Sequence, residues 1–494
     1  MLMKLSDLLA GYEHRVLQGD PGAADIRACI AYDSRRMTAG SMYIAMRGSR
    51  TDGHRFVGDA VVRGAVAVMV DHEIEDSMPS QVCVVQVADT RAAAPVVASR
   101  YFGEPSREMD VVAVTGTNGK TSVSYMMESA LRTAVRARVG VIGTDGCRVA
   151  HESIRIDTTT PTTPEAVELH HILRCMRDRG ADTVVMEASS MALMLRRVDH
   201  TDIKVGVFTN LTPDHLDNHG SMEQYKQAKL LLFRMCHQAV ANADDPVSAD
   251  IAALMPRAVT TFGLDDAEAD FRAGDLVVEP TGTRFVLHHD GRRYQAEVPI
   301  PGRFAVYNAL ATVATCHLLG HDLDAVIGAL AALPPIPGRF EHFRTPKGVS
   351  VVVDYAHSPD SLEKVLSTIR GFARRRVITV FGCGGDRDRT KRAPMGEIAQ
   401  KHSDFVVVTS DNPRNEDPEA IIDQIMLGMH ATSAQVQRIT DRRAAIERGL
   451  AVADPGDIVL VAGKGAEKYQ IIGDQTVHFD DMETVRQLAA KPAN

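Results

Sequence analysis

The chain has 494 residues and a net charge of −9, and 45% of its residues are hydrophobic and 24% charged. This length is too great for one core and predicts three domains of about 150 residues each. The acidic balance argues against bulk affinity for nucleic acid or an anionic membrane, and no apolar run approaches the roughly 18 residues of a membrane span. Its seven scattered cysteines include no Cys-x-x-Cys pair, which favours a reducing, cytoplasmic compartment over disulfides or zinc.

The first hundred residues predict a small α/β domain. Two apolar runs, 65–70 and 82–87, are typical of strands, and an amphipathic stretch at 56–64 is typical of a helix. A polar break at 103–108 contains glycine and proline and interrupts this pattern. We therefore predict that residues 1–106 form the first domain.

A phosphate-binding loop follows this break. An apolar β-branched segment at 111–115 runs into Gly116-Thr117-Asn118-Gly119-Lys120-Thr121-Ser122 and then into a helical pattern. Backbone N–H groups, the helix dipole and Lys120 suit phosphate oxygens, and the Thr121 hydroxyl suits magnesium. The common loop pattern has glycine where this chain has Val114, and an ordinary strand-to-helix turn is the alternative. The intact strand–loop–helix context favours nucleotide binding.

Strands alternate with helices through the middle of the chain. Apolar runs at 138–143, 183–186 and 205–208 predict a mostly parallel sheet with ligands at the carboxyl ends of its strands. Residues 260–300 predict antiparallel strands with a turn at Asp290-Gly291. The proline-dense segment 334–338 cannot continue a helix, so we predict a central domain over residues 107–336.

Three features of the central domain have both a functional and a structural interpretation. Glu187 follows an apolar strand and suits a cation, although Ser189 or Ser190 could simply cap a helix there. The acidic and histidine-containing loop 214–219 suits magnesium or phosphate, or only solvation of a loop. Lys229 lies in a helical pattern where lysines usually form a solvated face, and its spacing alone gives it no role.

Residues 337–494 predict a third, doubly wound domain. Polar loops follow four of its strands, at 354–360, 381–389, 411–416 and 463–467. Arg389 and Arg414 could clamp a carboxylate and Glu467 could accept an ammonium, so a zwitterion is a natural ligand. Each loop alone could be turn chemistry, but four loops at one sheet edge favour a site.

These motifs together resemble the Mur ligases, the ATP-dependent ligases of peptidoglycan synthesis. The resemblance covers nearly the whole chain. It rests on Asp33-Ser34-Arg35, Thr115-Gly116-Thr117-Asn118-Gly119-Lys120-Thr121, Thr162-Thr163-Pro164-Glu165, Glu187-Ala188-Ser189-Ser190, Asp214-His215-Leu216-Asp217, Tyr307-Asn308-Ala309, Gly338-Arg339-Phe340-Glu341, Asp354-Tyr355-Ala356-His357 and Asp411-Asn412-Pro413-Arg414.

The resemblance implies a role for each matching residue. UDP-MurNAc-dipeptide would be bound by Ser34, Thr162, Thr163, Ser189 and Arg197. ATP would be bound by Gly116, Thr117, Asn118, Gly119, Lys120, Thr121, Ser122, Asn308, Arg339 and Asp354. Magnesium would be bound by Thr121, Glu187, His215 and Lys229, the last as a carbamate, and the catalytic set would be Lys120, Glu187, His215 and Lys229. Diaminopimelate would be bound by Arg389, Asp411, Asn412, Pro413, Arg414, Gly463 and Glu467.

By the same resemblance, the fold is α/β with an N-terminal α/β domain, a P-loop ATPase domain and a Rossmann-like C-terminal domain. The implied activity is ADP-forming ligation of meso-diaminopimelate to UDP-MurNAc-L-Ala-D-Glu by a cytoplasmic monomer, without nucleic acid or membrane as a partner. The third domain is expected to swing about 334–338. Two alternatives stay open: a divergent family member with another substrate, and a catalytically silent nucleotide-binding partner. Met191 and Ala466 suggest them, because they stand where the family usually has histidine.

Overall fold

The computed structural model of the protein describes residues 2–48, 51–74, 78–214, 216–430 and 434–490. The chain forms two compact units. The first comprises Met1–Thr115, Ala137–Val207 and Ala228–Ala239, and the second comprises Gly116–Arg136, Phe208–Gln227 and Val240–Asn494. Each unit is described separately.

The first unit contains short strands and few helices. Its strands are Met3–Lys4, Arg15–Gln18, Asp25–Ile26, Ile30–Ala31, Ser41–Ile44, Ala65–Val70, Cys83–Gln86, Asp110–Thr115, Val139–Gly143, Gly146–Val149, Glu152–Ser153 and Thr183–Glu187. Its α-helices are Leu5–Leu8, Val57–Val62, Thr90–Tyr101, Ala166–Asp178 and Ser190–Met194. Its 3₁₀ helices are Ser34–Arg36, Gly53–Phe56, Pro105–Glu108 and Leu231–Arg234. Strands Ile203–Phe208 and Cys236–Asn242 and helix Met222–Leu230 each cross from one unit into the other.

Two sheets carry the site residues of the first unit. The N-terminal sheet has the order Arg15–Gln18, Cys83–Gln86, Ala65–Val70, Ser41–Ile44, Ile30–Ala31, with only its first pair antiparallel. In the other sheet, Thr183–Glu187 runs parallel to both Asp110–Thr115 and Val139–Gly143. These strands are buried along almost their whole length. A parallel strand covered on both faces reads as a continuous apolar run, which explains why the sequence predicts them.

The second unit holds most of the helices. They are Lys120–Ala134, Leu216–His219, Val247–Leu254, Arg303–Leu318, Leu323–Ala331, Pro359–Phe372, Arg392–His402, Pro418–Met426, Arg442–Val452 and Asp481–Ala489. Its strands are Val259–Gly263, Phe271–Glu279, Gly282–His289, Arg292–Val298, Glu341–Arg344, Ser350–Asp354, Val377–Phe381, Phe405–Val408, Gln435–Arg438, Ile458–Ala462, Tyr469–Ile472 and Gln475–His478.

The predicted antiparallel segment is confirmed. Phe271–Glu279, Gly282–His289 and Arg292–Val298 form an antiparallel meander. Its second turn lies at Asp290 and Gly291, whose φ angles are 47° and 69°. Two successive positive φ angles are those of a type I′ turn, and Asp-Gly is a sequence that favours that turn.

The C-terminal sheet places four polar loops along one edge. Its order is Glu341–Arg344, Ser350–Asp354, Ile458–Ala462, Val377–Phe381, Phe405–Val408, Gln435–Arg438, and every pair is parallel except the first. The carboxyl ends of parallel strands lie at the same edge, and ligands bind there in doubly wound sheets. The predicted α/β fold class is therefore confirmed.

The domain boundaries at 106 and 336 stay predictions. Helix Lys120–Ala134 packs on Arg303–Leu318 and Leu323–Ala331 and so belongs to the second unit, together with the C-terminal sheet. None of the helices in the described ranges combines the length and the apolar composition that a membrane span requires.

Candidate functional site

The phosphate loop lies in the second unit, and its glycines are required by close packing. Gly116 has a φ of 149° and Gly119 a φ of 91°. A Cβ at Gly116 would lie 1.9 Å from Thr209 Oγ1, and a Cβ at Gly119 would lie 2.5 Å from Asn308 Oδ1. Only glycine fits at these two positions, because a side chain would clash and the backbone conformation disfavours other residues. Asn308, predicted to bind ATP, therefore lies directly against the loop.

Hydrogen bonds fix the shape of the loop. The backbone N–H of Asn118 donates to Asn210 Oδ1 at 3.0 Å, and the Thr209 hydroxyl donates to Asn118 O at 2.6 Å. Lys120 Nζ donates to the carbonyl oxygens of Gly116 and Thr117 at 2.8 and 2.9 Å. The ammonium group of Lys120 therefore lies against the backbone of the loop. The glycines of the loop, its place at the N-terminus of helix Lys120–Ala134 and this lysine together suit a polyphosphate.

Arg339 reaches the loop from the segment that follows the proline-dense linker. Its Nη2 donates to Thr121 Oγ1 at 3.0 Å, and its guanidinium lies 4.3 Å from the ring centroid of Tyr355. Asp354, predicted to bind ATP, accepts hydrogen bonds from the N–H groups of Phe340 and Ala356 at 2.7 and 2.8 Å. Burial raises the pKa of the Asp354 carboxyl. In this structure Asp354 positions the backbone that carries Arg339.

Asp360 also contacts the loop, although the sequence suggested no role for it. Its Oδ2 accepts from Asn118 Nδ2 at 2.9 Å, from the Thr212 hydroxyl at 3.3 Å and from Lys364 Nζ at 2.8 Å. The residue lies in the polar segment 354–360 that the sequence singled out. The contact with Asn118 cannot be predicted from local sequence spacing, because the two residues are 242 positions apart.

Glu187 lies in the first unit, at the end of its buried strand. The side chain is 1% exposed. Its Oε1 accepts from the Thr144 N–H at 3.0 Å and its Oε2 from the Thr144 hydroxyl at 3.1 Å. The Thr144 hydroxyl is also 3.0 Å from Thr162 Oγ1, and the Thr163 hydroxyl donates to Glu187 O at 2.8 Å. The structure therefore brings Thr162 and Thr163 together with Glu187.

Ser189 and Arg197 complete this group. The Ser189 hydroxyl accepts from the N–H of Ala192 at 3.2 Å, so the helix-capping interpretation of this segment is confirmed. Arg197 Nε lies 2.9 Å from Glu165 Oε1, and its Nη1 donates to Thr163 O at 3.3 Å. Ser34 begins a 3₁₀ helix in the same unit, is 7% exposed, and is preceded by Asp33, which caps that helix.

Lys229 is buried, whereas its helical spacing alone predicts a position on a solvated face. It is in helix Met222–Leu230, and its residue surface is only 1% exposed. Burial of a lysine is costly unless a partner neutralises it or its chemistry is changed. His215 lies outside the described residues, so its predicted role stays a prediction.

Arg414 lies at the edge of the C-terminal sheet, is half-buried and has a positive φ angle. Its Nη1 donates to Gly385 O at 2.8 Å, and its φ is 52°. Burial, and next the nearby Arg387, lower the pKa of the Arg414 guanidinium. Among the described residues, no carboxylate forms an ion pair with it. Arg414 is thus a half-buried cation whose Nε and Nη2 donate no hydrogen bond within the described residues.

The predicted partner of Arg414 is paired elsewhere. Arg389 Nη2 lies 3.2 Å from Glu416 Oε2. The cation beside Arg414 is instead Arg387, because the Arg387 side chain and Arg414 Nη1 both border Gly384. The sequence pattern could not choose between two arginines spaced two residues apart on one loop.

Glu467 and Asn412 face the same edge. Asn412 Nδ2 donates to Glu467 Oε2 at 2.8 Å, and Lys464 Nζ donates to the same oxygen at 3.0 Å. Within the described part of the chain, Glu467 Oε1 accepts no hydrogen bond. Asp411 is 7% exposed and packs against Gly463, since a Cβ there would lie 2.7 Å from Asp411 Oδ2. Cationic and anionic groups therefore meet at one edge, as a zwitterion requires.

Three families of known domains match the chain. They are the Mur ligase family catalytic domain over residues 28–102, the Mur ligase middle domain over 114–316, and the Mur ligase glutamate ligase domain over 338–465.

Full-length relatives and solved structures are also similar. UDP-N-acetylmuramoyl-L-alanyl-D-glutamate--2,6-diaminopimelate ligase 2 of Clostridium acetobutylicum is 42% identical, with 98% of this chain and 100% of that protein covered. The corresponding ligase of Clostridioides difficile is 40% identical, with 99% and 100% covered. A solved structure of a ligase with the same name is 31% identical with a TM-score of 0.71, covering 99% of both chains. A Thermotoga maritima MurF ligase solved with ADP is 20% identical with a TM-score of 0.65, covering 94% of this chain and 97% of that one, and shows the fold alone.

Proposed function

Because this chain belongs to the Mur ligase family, we propose that it is the ADP-forming ligase that joins meso-2,6-diaminopimelate to the D-glutamate γ-carboxylate of UDP-MurNAc-L-Ala-D-Glu. The relatives that carry this name match the chain from end to end. The enzyme therefore acts in the synthesis of peptidoglycan precursors. We also propose that it works in the cytoplasm and as a monomer.

The observation that supports diaminopimelate is that Arg414 and Glu467 both lie at the edge of the C-terminal sheet without being paired to each other. Diaminopimelate carries a second carboxylate that lysine lacks, and the half-buried Arg414 guanidinium has Nε and Nη2 available for it. Glu467 Oε1 is available for an ammonium group. Lysine would leave the guanidinium desolvated and unpaired, which costs a few kcal/mol and corresponds to a discrimination of about a hundredfold or more.

The reaction has two steps. An oxygen of the D-glutamate γ-carboxylate attacks the γ-phosphorus of ATP, and the bond to the leaving ADP breaks to give an acyl phosphate. The neutral amine of diaminopimelate then attacks the acyl carbon, inorganic phosphate leaves with the bonding electrons, and the amine loses a proton to give the amide. The protein contributes positioning and charge neutralisation, which are the main terms in phosphoryl transfer.

The chain's own residues divide this work. We propose that the phosphate loop and Lys120 bind the nucleotide phosphates, and that Arg339 and Asn308 border the nucleotide. Thr121, Glu187, His215 and a carbamylated Lys229 are the proposed magnesium ligands. The hydroxyl of Thr121 and the buried carboxylate of Glu187 fit this ion, because magnesium prefers oxygen donors. When bound, magnesium would neutralise charge on the phosphate oxygens. Thr162, Thr163, Ser189 and Arg197 are proposed to bind the acceptor.

An assay of ADP release tests the proposal. The purified chain is given ATP and UDP-MurNAc-L-Ala-D-Glu with either meso-diaminopimelate or L-lysine. We expect release with diaminopimelate only, and Arg414→Lys should raise the KM for diaminopimelate by about tenfold or more, because a bidentate contact is lost. Arg443→Lys, on an exposed position of the same unit, is the matched control. Equal release with lysine would contradict the role of Arg414, and no release with either amino acid would contradict the proposed function.

A further inference from the structure

A small hairpin lies against the loop that contains Arg414. It consists of Tyr469–Ile472 and Gln475–His478, and it pairs in register from Tyr469 with His478 to Ile472 with Gln475. We propose that this hairpin and the buried Lys464 hold the loop 411–414 in its amino-acid-selecting conformation, with Gln470 and Lys464 as the positioning residues. This inference rests on the proposed function of the loop.

Backbone bonds join Arg414 to the hairpin. The Arg414 N–H donates to Ile471 O at 3.0 Å, and the Gly473 N–H donates to Arg414 O at 2.7 Å. Arg414 and Ile472 thus form an isolated parallel β-bridge, so the loop pairs with the first strand of the hairpin. The φ of 52° at Arg414 is in the left-handed region, which is unfavourable for a residue with a side chain. One hydrogen bond through its N–H and one through its carbonyl oxygen hold this strained residue in place and so orient its guanidinium.

Gln470 supplies a side-chain contact to the same loop. Its Nε2 donates to Asp411 O at 2.6 Å, and the residue is 8% exposed. The next residue, Ile471, donates its N–H to Asn412 Oδ1 at 3.0 Å. Gln470 therefore contacts Asp411, and Ile471 contacts both Asn412 and Arg414. The carbonyl of Asp411 would be buried without a partner if the Gln470 amide were removed.

Lys464 fixes the other side of the loop. Its side chain is fully buried, and its Nζ donates to Asn412 Oδ1 at 3.1 Å and to Glu467 Oε2 at 3.0 Å. The ammonium also lies 5.6 Å from the centroid of the Tyr469 ring. A buried ion pair is weak evidence for stability, but it fixes geometry. Here it occupies one oxygen of Glu467 and leaves Oε1 for an incoming ammonium.

Besides its bonds to the loop, the hairpin is held by His478, whose Nε2 lies 2.9 Å from Glu483 Oε2, and by the Phe479 N–H, which donates to Lys468 O at 3.1 Å. All residues of Gln475–His478 are exposed, and Tyr469 and Ile472 are 40% and 48% exposed. A two-stranded hairpin without a hydrophobic face is marginal in water. The bonds to the loop therefore contribute to the order of the hairpin, and the hairpin in turn contributes to the conformation of the loop.

Two variants test this coupling. Gln470→Ala and Lys464→Met are compared with Gln475→Ala and Lys468→Met, which change exposed residues of the same segment. We expect the first pair to raise both the KM and the calorimetric Kd for meso-diaminopimelate by about tenfold, with the KM for ATP unchanged. The preference for diaminopimelate over lysine, as a ratio of kcat/KM values, should fall. Lys464→Arg, which restores the charge, should recover part of the loss. The control pair should match the wild type.

The outcomes separate this inference from the proposed function. If the wild type binds meso-diaminopimelate and Gln470→Ala binds it equally well, the positioning role of the hairpin is wrong. A parallel rise of the KM for ATP with a lower Tm would also contradict it, because that result indicates general destabilisation. If Lys464→Met does not fold, the KM and Kd of Gln470→Ala for meso-diaminopimelate alone decide whether the hairpin positions the loop. A wild type that binds no diaminopimelate overturns the proposed function, and the hairpin inference with it.

Discussion

Arg339 donates a hydrogen bond from Nη2 to the Thr121 hydroxyl at 3.0 Å. The two residues are 218 positions apart in the chain, and Arg339 directly follows the proline-dense linker. Tyr355 lies against the guanidinium on one face, and Asp354 holds the backbone of the next residue. The C-terminal part of the chain therefore orients a side chain of the phosphate loop.

Arg339→Ala should weaken nucleotide binding. The variant loses a charged hydrogen bond to Thr121 and a cation beside the phosphate site, so we expect the KM for ATP to rise by about tenfold. Steady-state kinetics with ATP as the varied substrate measures this. Arg344→Ala, on an exposed strand position five residues later, should leave the KM for ATP as it is in the wild type. An equal effect of both variants would argue against the contact.

Gly119→Ala should damage the phosphate loop itself. A methyl group there would lie 2.5 Å from Asn308 Oδ1, and the φ of 91° strains any residue with a Cβ. We expect kcat/KM for ATP to fall by about tenfold or more. Gly328→Ala is the control, because no atom lies within 4 Å of its added Cβ and the residue is inside a helix. That change should keep activity and raise stability by about 0.5–1 kcal/mol. A fully active Gly119→Ala would show that the loop tolerates the methyl group.

Asp481→Asn should destabilise the C-terminal part of the chain. Arg442 and Asp481 are both fully buried, with an Nη2–Oδ2 distance of 2.7 Å. Arg442 also donates to Ser410 O and Ala462 O, beside the polar loops of the sheet edge. Breaking a buried pair leaves an uncompensated charge and should lower the free energy of unfolding by about 3–5 kcal/mol. Urea denaturation measures it, with the exposed neighbour Arg443→Ala as the control expected within about 0.5 kcal/mol of the wild type.

His170 should make stability depend on pH. Burial lowers the pKa of this imidazole to about 4 from 6.5. The folded state therefore binds the proton less readily than the unfolded chain, so the stabilisation is complete above pH 6.5 and is lost as the pH falls towards 4. Between pH 7.5 and 5, the free energy of unfolding should fall by about 2 kcal/mol more in the wild type than in His170→Gln. Denaturation at both pH values tests this, and the exposed His14→Gln should keep the wild-type difference.

Local patterns predict the parts of the fold that depend on neighbouring residues. The strand at 65–70, the meander with its Asp290-Gly291 turn and the glycine-rich phosphate loop all have signals within a few residues. The common edge of the polar loops in the C-terminal domain can also be predicted locally, because each loop follows a strand and parallel strands bring their carboxyl ends together. Lys229 and Arg389 mark the limit of this approach. The helical spacing predicts that Lys229 lies on a solvated face, whereas the residue is buried. The sequence pattern also cannot show that Arg389 is paired with Glu416.

The α/β class, the phosphate loop and the family can be predicted from the sequence alone, because they depend on local pattern and ordered motifs. Which side chains face one another depends on the folded structure. It placed Asp360 on Asn118, Arg339 on Thr121 and Arg387 beside Arg414. It also placed Lys464 and the hairpin against the loop 411–414. These contacts join residues far apart in the chain, so packing and burial set them, and no local periodicity carries that information.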